Sequence, residues 1–111
     1  MELQLETRTI GAWMVIDVTG EVDLSTAPSL QERITALATD GHHHILVNLS
    51  EVSFMDSSGL GVLVAGLKRL REAGGEMALV CSGGPVLKIL TITGLDRVFP
   101  MYGSIEEAAP A

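Results

Sequence analysis

The sequence predicts a single α/β domain, residues 1–111, with a mixed sheet of four or five strands and about four helices packed against it. Short apolar runs alternate along the chain with segments of helical periodicity, and the first two predicted strands are joined by a turn at Gly11. Strand–helix alternation implies parallel pairing with right-handed crossovers. A tight turn between successive strands adds an antiparallel member. The length of 111 residues, with 47 % hydrophobic residues, fits one domain that can bury a core.

The first third of the chain predicts a hairpin and a helix. Residues 2–8 and 12–19 each alternate with period two, which is typical of half-buried strands, and Gly11 supplies the turn. The segment 20–41 then changes to a helical period. Its helix signals are a cap at Ser25 or Thr26, Pro28 in the first turn and Gly41 at the end.

The rest of the chain predicts alternating strands and helices. Residues 44–49 form a near-continuous apolar run, which is typical of a strand with parallel neighbours. Leucines line one face of a predicted helix over 59–72, which Gly74 and Gly75 end. The remaining predicted elements are strand 77–82, helix 84–95, strand 97–102 and a short helix with Ser104 and Glu107 at capping-box spacing.

Composition excludes several classes of function. The formal net charge is −7 and the pI is near 4.7, so the domain is a poor ligand for nucleic acid or for an anionic membrane surface. One cysteine, Cys81, allows no internal disulfide. The start has no basic and apolar signal-peptide pattern, and no apolar run is long enough to span a bilayer. We therefore expect a cytoplasmic protein without a cofactor.

The stretch FMDSSGLG, residues 54–61, is the candidate functional site. It places Ser57 between a predicted strand and a predicted helix, at the edge where α/β folds collect ligands and reactive groups. A helix N-terminus tolerates an anion such as phosphate, because its N–H groups are unpaired and its dipole end is positive. Gly59 and Gly61 carry no side chain that could shield the serine from a second protein.

Three interpretations of this stretch are open from the residues alone. Asp56 and a serine could simply cap the helix, since these are favoured capping residues. Ser57 could be a nucleophile, but the pattern is not G-x-S-x-G, and the only histidines, 42–44, lie about 20 Å away at the other end of a strand. Ser57 could instead be a residue that another protein modifies. The missing base argues against an enzyme.

Two other clusters are weaker candidates. His42 and His44 would point the same way on a strand, which gives a metal two ligands and no third, so a solvated loop is the better interpretation. Cys81 precedes the loop 82–84, which could hold an anion but more simply turns the chain beside a buried thiol.

Three blocks of the sequence carry a resemblance to a known family. They are GEVDLSTAPSLQERI, VNLSEVSFMDSSGLGVLVAGLKRLREAGGEMALV and VLKILTITGLDRVF, which with the hairpin cover essentially the whole chain. The sequence resembles the STAS-domain family, specifically the bacterial anti-sigma-factor antagonists. The resemblance implies a STAS-like fold and a regulatory protein that is not an enzyme.

The resemblance also implies a partner-switching cycle. An unmodified antagonist binds an anti-sigma factor that is also a serine kinase, which frees the sigma factor, and the kinase then phosphorylates the antagonist. A PP2C-type, metal-dependent serine phosphatase resets it. By this resemblance Ser57 is the phosphorylated residue, Ser58 is the following motif position, and Asp23 is an aspartate near the phosphosite. The alternative within the family is an accessory subunit of a transporter or lipid-trafficking complex, or a nucleotide-binding module.

The exposed face of the helix over 59–72 is the predicted docking surface beside the phosphosite. Gly61, Ala65 and Lys68 are spaced i, i+4 and i+7, away from the leucine stripe, and small residues there permit close approach. A plain solvated face is an equally good interpretation of this spacing. Phosphate on Ser57 would add negative charge to a surface already holding Asp23 and Asp56.

Overall fold

The chain begins with an antiparallel hairpin of β1 (Leu3–Ile10) and β2 (Trp13–Val22). The structure, a computed structural model, describes residues 2–110. Gly11 has φ +60°, and a positive φ at the first of the two loop residues alone is typical of a type II′ turn. The predicted hairpin is therefore confirmed, although β2 continues beyond its predicted end to Val22.

The remaining strands are parallel to β2 and alternate with helices, as predicted. The sheet order is β1-β2-β3-β4-β5, so the mixed five-stranded sheet is confirmed. The elements after the hairpin are α1 (Ala27–Thr39), β3 (His44–Met55), α2 (Ser57–Glu72), β4 (Glu76–Val80), α3 (Gly84–Ile92), a 3-10 turn (Leu95–Arg97), β5 (Met101–Tyr102) and α4 (Ile105–Ala108). Within residues 2–110 no helix is long and apolar enough to cross a lipid bilayer.

Two predicted strands differ most in length from the observed ones, for physical reasons. The strand predicted over 44–49 extends to Met55, because its second half pairs with the end of β2 although much of it is polar and exposed. The strand predicted over 97–102 shrinks to Met101–Tyr102. Pro100 has no N–H to donate to a ladder, and the Phe99 N–H turns back to the Leu95 carbonyl at 3.2 Å.

The core has a large part on the helix side of the sheet and a small part on the other side. Helices α1, α2 and α3 cover the large part, whose fully buried side chains include Ile16, Leu30, Ile45, Leu63, Leu70, Met77, Leu79 and Leu90. The opposite face buries Val15, Leu46, Ala78 and Val80, with Trp13 and α4 packed against them. The Trp13 indole N–H donates to the Ala108 carbonyl at 3.2 Å, which fastens α4 to this face.

Candidate functional site

The ends of two neighbouring parallel strands bring the candidate residues together. Val22 and Met55, the last residues of β2 and β3, are register partners. The next residues along each strand are therefore neighbours, and the Asp56 N–H donates to the Val22 carbonyl at 3.1 Å. The structure thus places Asp23 and the Asp56–Ser57 pair together at the carboxyl ends of β2 and β3, although they are far apart in sequence.

Asp56 caps helix α2 and leaves Ser57 free. The Asp56 backbone is extended, and its carboxylate accepts the N–H groups of Ser58 at 2.8 Å and Gly59 at 3.4 Å. This satisfies helix N–H groups that would otherwise lack partners. Ser57 is the first helical residue and is exposed, and its hydroxyl makes no side-chain hydrogen bond to any residue between 2 and 110. Capping therefore needs the carboxylate alone and does not occupy the Ser57 hydroxyl.

Asp23 is held rigidly in the loop before α1. One carboxylate oxygen accepts the Ser25 hydroxyl at 2.7 Å, the Ser25 N–H at 2.9 Å and the Thr26 N–H at 3.0 Å. The hydrogen bond from the Ser25 hydroxyl, together with those from the Thr26 and Ser25 N–H groups, outweighs desolvation and lowers the pKa of the Asp23 carboxyl below its ordinary value. Asp23 is therefore ionised at neutral pH and its carboxylate is fixed in direction.

The predicted hydroxyl cap of α1 is wrong in its detail. Thr26 is the N-cap residue, but its side chain caps no helix N–H. Its hydroxyl donates to the Glu21 carbonyl at 2.7 Å and accepts the Asp23 N–H at 2.9 Å. Thr26 is buried, so its hydroxyl needs these partners and is used to close the loop instead. Pro28 and Gly41 lie in the first turn and just after the end of α1, as predicted.

The two motif glycines have different structural roles, and Gly59 is not exposed for direct contact with a partner. Gly59 is buried, and a Cβ added there would lie 2.7 Å from Met55 Cγ and 2.7 Å from Val22 Cγ1. Its missing side chain lets α2 pack closely on the ends of β2 and β3. Gly61 is exposed, with nothing within 4 Å of an added Cβ, so it leaves open space on the surface of α2.

The other predicted surface residues lie where helical spacing places them. Ala65 and Lys68 are exposed on α2, and Ser58 is half-buried beside the cap. Ala65 also borders a shallow groove between α1 and α2, whose floor includes Ile34 and Gly66. The exposed face of α2 is therefore continuous with this groove.

Sequence reasoning missed two apolar side chains near the site. Leu24 is 79 % exposed and directly follows Asp23, and Phe54 is 46 % exposed and lies two residues before Asp56. Within residues 2–110 only Ile92 and Val98 are comparably large and exposed. An apolar residue inside a polar D-L-S-T turn, outside any helical or strand periodicity, was a signal that could have revealed Leu24.

The two weaker candidates, the histidines and Cys81, lie away from Ser57. His44 is the first residue of β3, whereas Ser57 follows the last, so the histidines are at the opposite end of the strand. The His44 ring packs edge-on against Trp13, with centroids 6.2 Å apart. No three metal-ligating side chains cluster in the range 2–110. Cys81 is buried, and burial raises the pKa of its thiol, so the thiol is largely protonated at neutral pH.

The fold and site define a small mixed-sheet α/β domain that displays a serine at a helix N-terminus, where the ends of two parallel strands also bring Asp23 and Asp56. The chain belongs to the STAS-domain family, whose sequence profile matches residues 4–108. It is 39 % identical over 95 residues to an anti-sigma-B factor antagonist of Staphylococcus aureus, an alignment that covers 86 % of this chain and 88 % of the relative.

Solved structures agree with this assignment. An anti-sigma factor antagonist from Mycobacterium paratuberculosis superposes with a TM-score of 0.88 at 31 % identity, covering 96 % of this chain and 91 % of that chain. The Bacillus cell fate determinant SpoIIAA in its phosphorylated form superposes with a TM-score of 0.72 at 28 % identity, covering 96 % of both chains.

Proposed function

We propose that this protein is an anti-sigma-factor antagonist controlled by phosphorylation of Ser57. In the unphosphorylated state it binds an anti-sigma factor that is also a serine kinase, and the sigma factor is released. The kinase phosphorylates Ser57, which ends binding, and a PP2C-type phosphatase restores the serine in the cytoplasm. The observation that carries the proposal is the exposed Ser57 hydroxyl at the first turn of α2, left free because Asp56 supplies the cap.

Local electrostatics explain how one phosphate could switch binding. A phosphoserine carries about −1.5 to −2 charges at pH 7. The N-terminus of α2 offsets only part of this, typically about 0.3–1 kcal/mol. The carboxylates of Asp23 and Asp56 are tied to backbone N–H groups, so neither can turn away from the new charge. A docked partner would have to desolvate several negative charges of the same sign, which is costly without matching cations.

The partner docks on a surface that is already rigid, so no refolding is needed. The Asp23 loop is closed by hydrogen bonds on both sides, and Ser57 lies on a 16-residue helix. A pre-organised surface loses little conformational entropy on docking. The switch therefore needs only a change in charge at a surface that already exists.

A phosphorylation experiment with wild type and two variants tests the phosphosite. The protein is incubated with the serine kinase that binds it and ATP, and the product is mapped by mass spectrometry for wild type, Ser57→Ala and the neighbouring control Ser58→Ala. We expect one phosphate on wild type and on Ser58→Ala, and none on Ser57→Ala. Phosphorylation of Ser57→Ala at the wild-type rate would show that the phosphorylated residue is not Ser57.

A binding experiment tests the switch itself. We expect Ser57→Ala to bind the kinase about as tightly as wild type. Ser57→Asp should bind at least about tenfold more weakly, which is a loss of about 1.4 kcal/mol in binding free energy. Equal affinities for wild type and Ser57→Asp, while Ser57→Ala lost binding, would contradict the charge mechanism. Recovery of a transporter subunit instead of an anti-sigma kinase in a pull-down from the native cell would favour the accessory-subunit alternative.

A bulky substitution on α2 tests whether this helix is part of the docking surface. Ala65 is exposed, so Ala65→Trp should fill the space above α2 and block close approach without lowering the melting temperature. The kinase affinity is measured beside the thermal stability. Unchanged affinity would remove this face of α2 from the interface.

A further inference from the structure

Strand β1 leaves one complete backbone edge of the sheet open. It is the first strand in the order β1-β2-β3-β4-β5, with no element beyond it in the described range. The two-residue turn makes Ile10 and Trp13 a hydrogen-bonded pair, so even-numbered residues of β1 bond to β2. The Glu2 carbonyl, which accepts the Glu21 N–H at 3.4 Å, follows the same parity. The outward-facing backbone groups therefore belong to Leu3, Leu5, Thr7 and Thr9.

A carboxylate on this strand has a cation nearby that is bonded to another carboxylate. Glu6 is the register partner of Asp17, so two carboxylates lie directly opposite each other. The nearby cation, Arg8, is bonded to Asp17 by its Nε at 2.6 Å and by a second nitrogen at 3.1 Å. Glu6 takes part in no salt bridge within residues 2–110. Like charges directly opposite each other on a sheet are destabilising, so a cation brought to Glu6 would be favourable.

We propose that a second copy of this chain pairs antiparallel with β1, on a two-fold axis through Thr7. In that register Glu6 of each copy lies opposite Arg8 of the other, and Leu5 lies opposite Thr9. Each hydrogen-bonded pair exchanges two backbone hydrogen bonds, so the outward groups of Leu5, Thr7 and Thr9 all find partners. The result is one continuous ten-stranded sheet, built from two five-stranded ones.

Charge selects this register over its neighbours. An axis through Glu6 or through Arg8 would place that residue opposite its own copy, so like charges would face each other. An axis through Leu5 would place Gln4 opposite Glu6 and would leave Glu6 without a cation. Only the axis through Thr7 gives both Glu6 side chains a positive partner, and the same strand supplies both charges, which favours a second copy over an unrelated chain.

One contact opposes the pairing and limits its strength. On the helix side of the sheet, Arg33 donates to the Thr7 hydroxyl at 2.6 Å. Two copies would bring two guanidinium groups towards the axis, where they repel each other. The dimer should therefore be weak and concentration-dependent, and Arg33→Gln should tighten it.

Cysteine cross-linking tests the register. Thr7→Cys places two thiols on the axis, where the Cα separation of a hydrogen-bonded pair, about 5.5 Å, suits a disulfide. Thr9→Cys is the matched control: Thr9 is also exposed and on the same face, but its two copies would be about 14 Å apart. The native Cys81 is buried and should not react. We expect a disulfide dimer for Thr7→Cys alone. Equal cross-linking of both variants, or none of either, would overturn the proposal.

Charge reversal tests the pairing in solution, by sedimentation equilibrium. Glu6→Arg or Arg8→Glu alone should raise the dimer Kd by about tenfold, because two attractive cross-strand pairs become repulsive. The double swap should return the Kd to near wild type, since each new pair is again opposite in charge and position 6 still faces Asp17. A wild-type chain that stays monomeric at about 1 mM, or a double swap as weak as the single variants, would refute the dimer. Neither outcome bears on phosphorylation of Ser57.

Discussion

Replacing each motif glycine by alanine should change stability in opposite directions. Gly59 and Gly61 lie two residues apart near the start of α2. A methyl group at position 59 would meet Met55 Cγ and Val22 Cγ1, both at 2.7 Å, inside the core. A methyl group at position 61 would meet nothing within 4 Å. We therefore expect Gly59→Ala to destabilise the fold and Gly61→Ala to stabilise it.

The magnitude follows from two opposing effects. Alanine in place of glycine in a helix contributes about 0.5–1 kcal/mol of stability, and this gain is similar at the two positions. Overpacking a core by one methyl group costs about 1–3 kcal/mol. The free energies of unfolding of the two variants should then differ by about 1–3 kcal/mol, because the helix gain largely cancels in the comparison. In a domain of this size each kcal/mol moves the melting temperature by about 4 °C.

Urea unfolding followed by circular dichroism measures the difference. Both variants should unfold with the wild-type m-value, since the exposed area on unfolding hardly changes. The reasoning would be wrong if Gly59→Ala were as stable as Gly61→Ala. That result would mean that α2 does not pack tightly on Val22 and Met55, and that Gly59 could belong to an open surface after all.

Three further predictions concern the loops and the hairpin. Leu24→Ser should weaken kinase binding with no loss of melting temperature, whereas the equally apolar and exposed control Ile92→Ser should not; equal effects would exclude a role for Leu24 in docking. Asp56→Ala should lower the free energy of unfolding by about 1 kcal/mol through loss of the α2 cap, and an unchanged urea midpoint would contradict the cap. Asp17 is partly desolvated, but hydrogen bonds from Arg8 and Asn48 lower the pKa of its carboxyl. Its contribution to stability is therefore present at neutral pH and lost as the pH falls through the lowered pKa. The free energy of unfolding of Asp17→Asn should be about 0.5–1 kcal/mol below that of wild type at pH 7, and this difference should shrink at low pH. A difference that stayed constant below about pH 4 would refute this.

Local patterns predicted the elements but not their full lengths. Apolar periodicity identified α1 and α2, the capping-box spacing of Ser104 and Glu107 identified α4, and a two-residue turn with Gly11 identified the hairpin. The end of β3 escaped prediction because its last residues are largely polar and are held by backbone pairing with β2 rather than by a buried side-chain pattern. Strand pairing is non-local, so a window of neighbouring residues carries little information about it.

The candidate site shows the same division. Sequence alone placed Ser57 at a strand–helix junction, where a helix N-terminus favours an anion. It could not show which group caps the helix, because Asp56 and two serines are all suitable, and the geometry assigns the cap to the Asp56 carboxylate. Helical spacing placed Gly61 on the exposed face of α2, but it did not show that Gly59 packs against Met55 and Val22.

By itself, the sequence determined the elements, the acidic charge and the position of Ser57, because these depend on residues close together along the chain. Tertiary structure alone decided that Asp23 lies beside Asp56, that Gly59 is buried and that the outer edge of β1 is open. These features depend on which strands become neighbours and how closely α2 packs on them. That choice is made by burial and backbone pairing between distant segments, which no local pattern encodes.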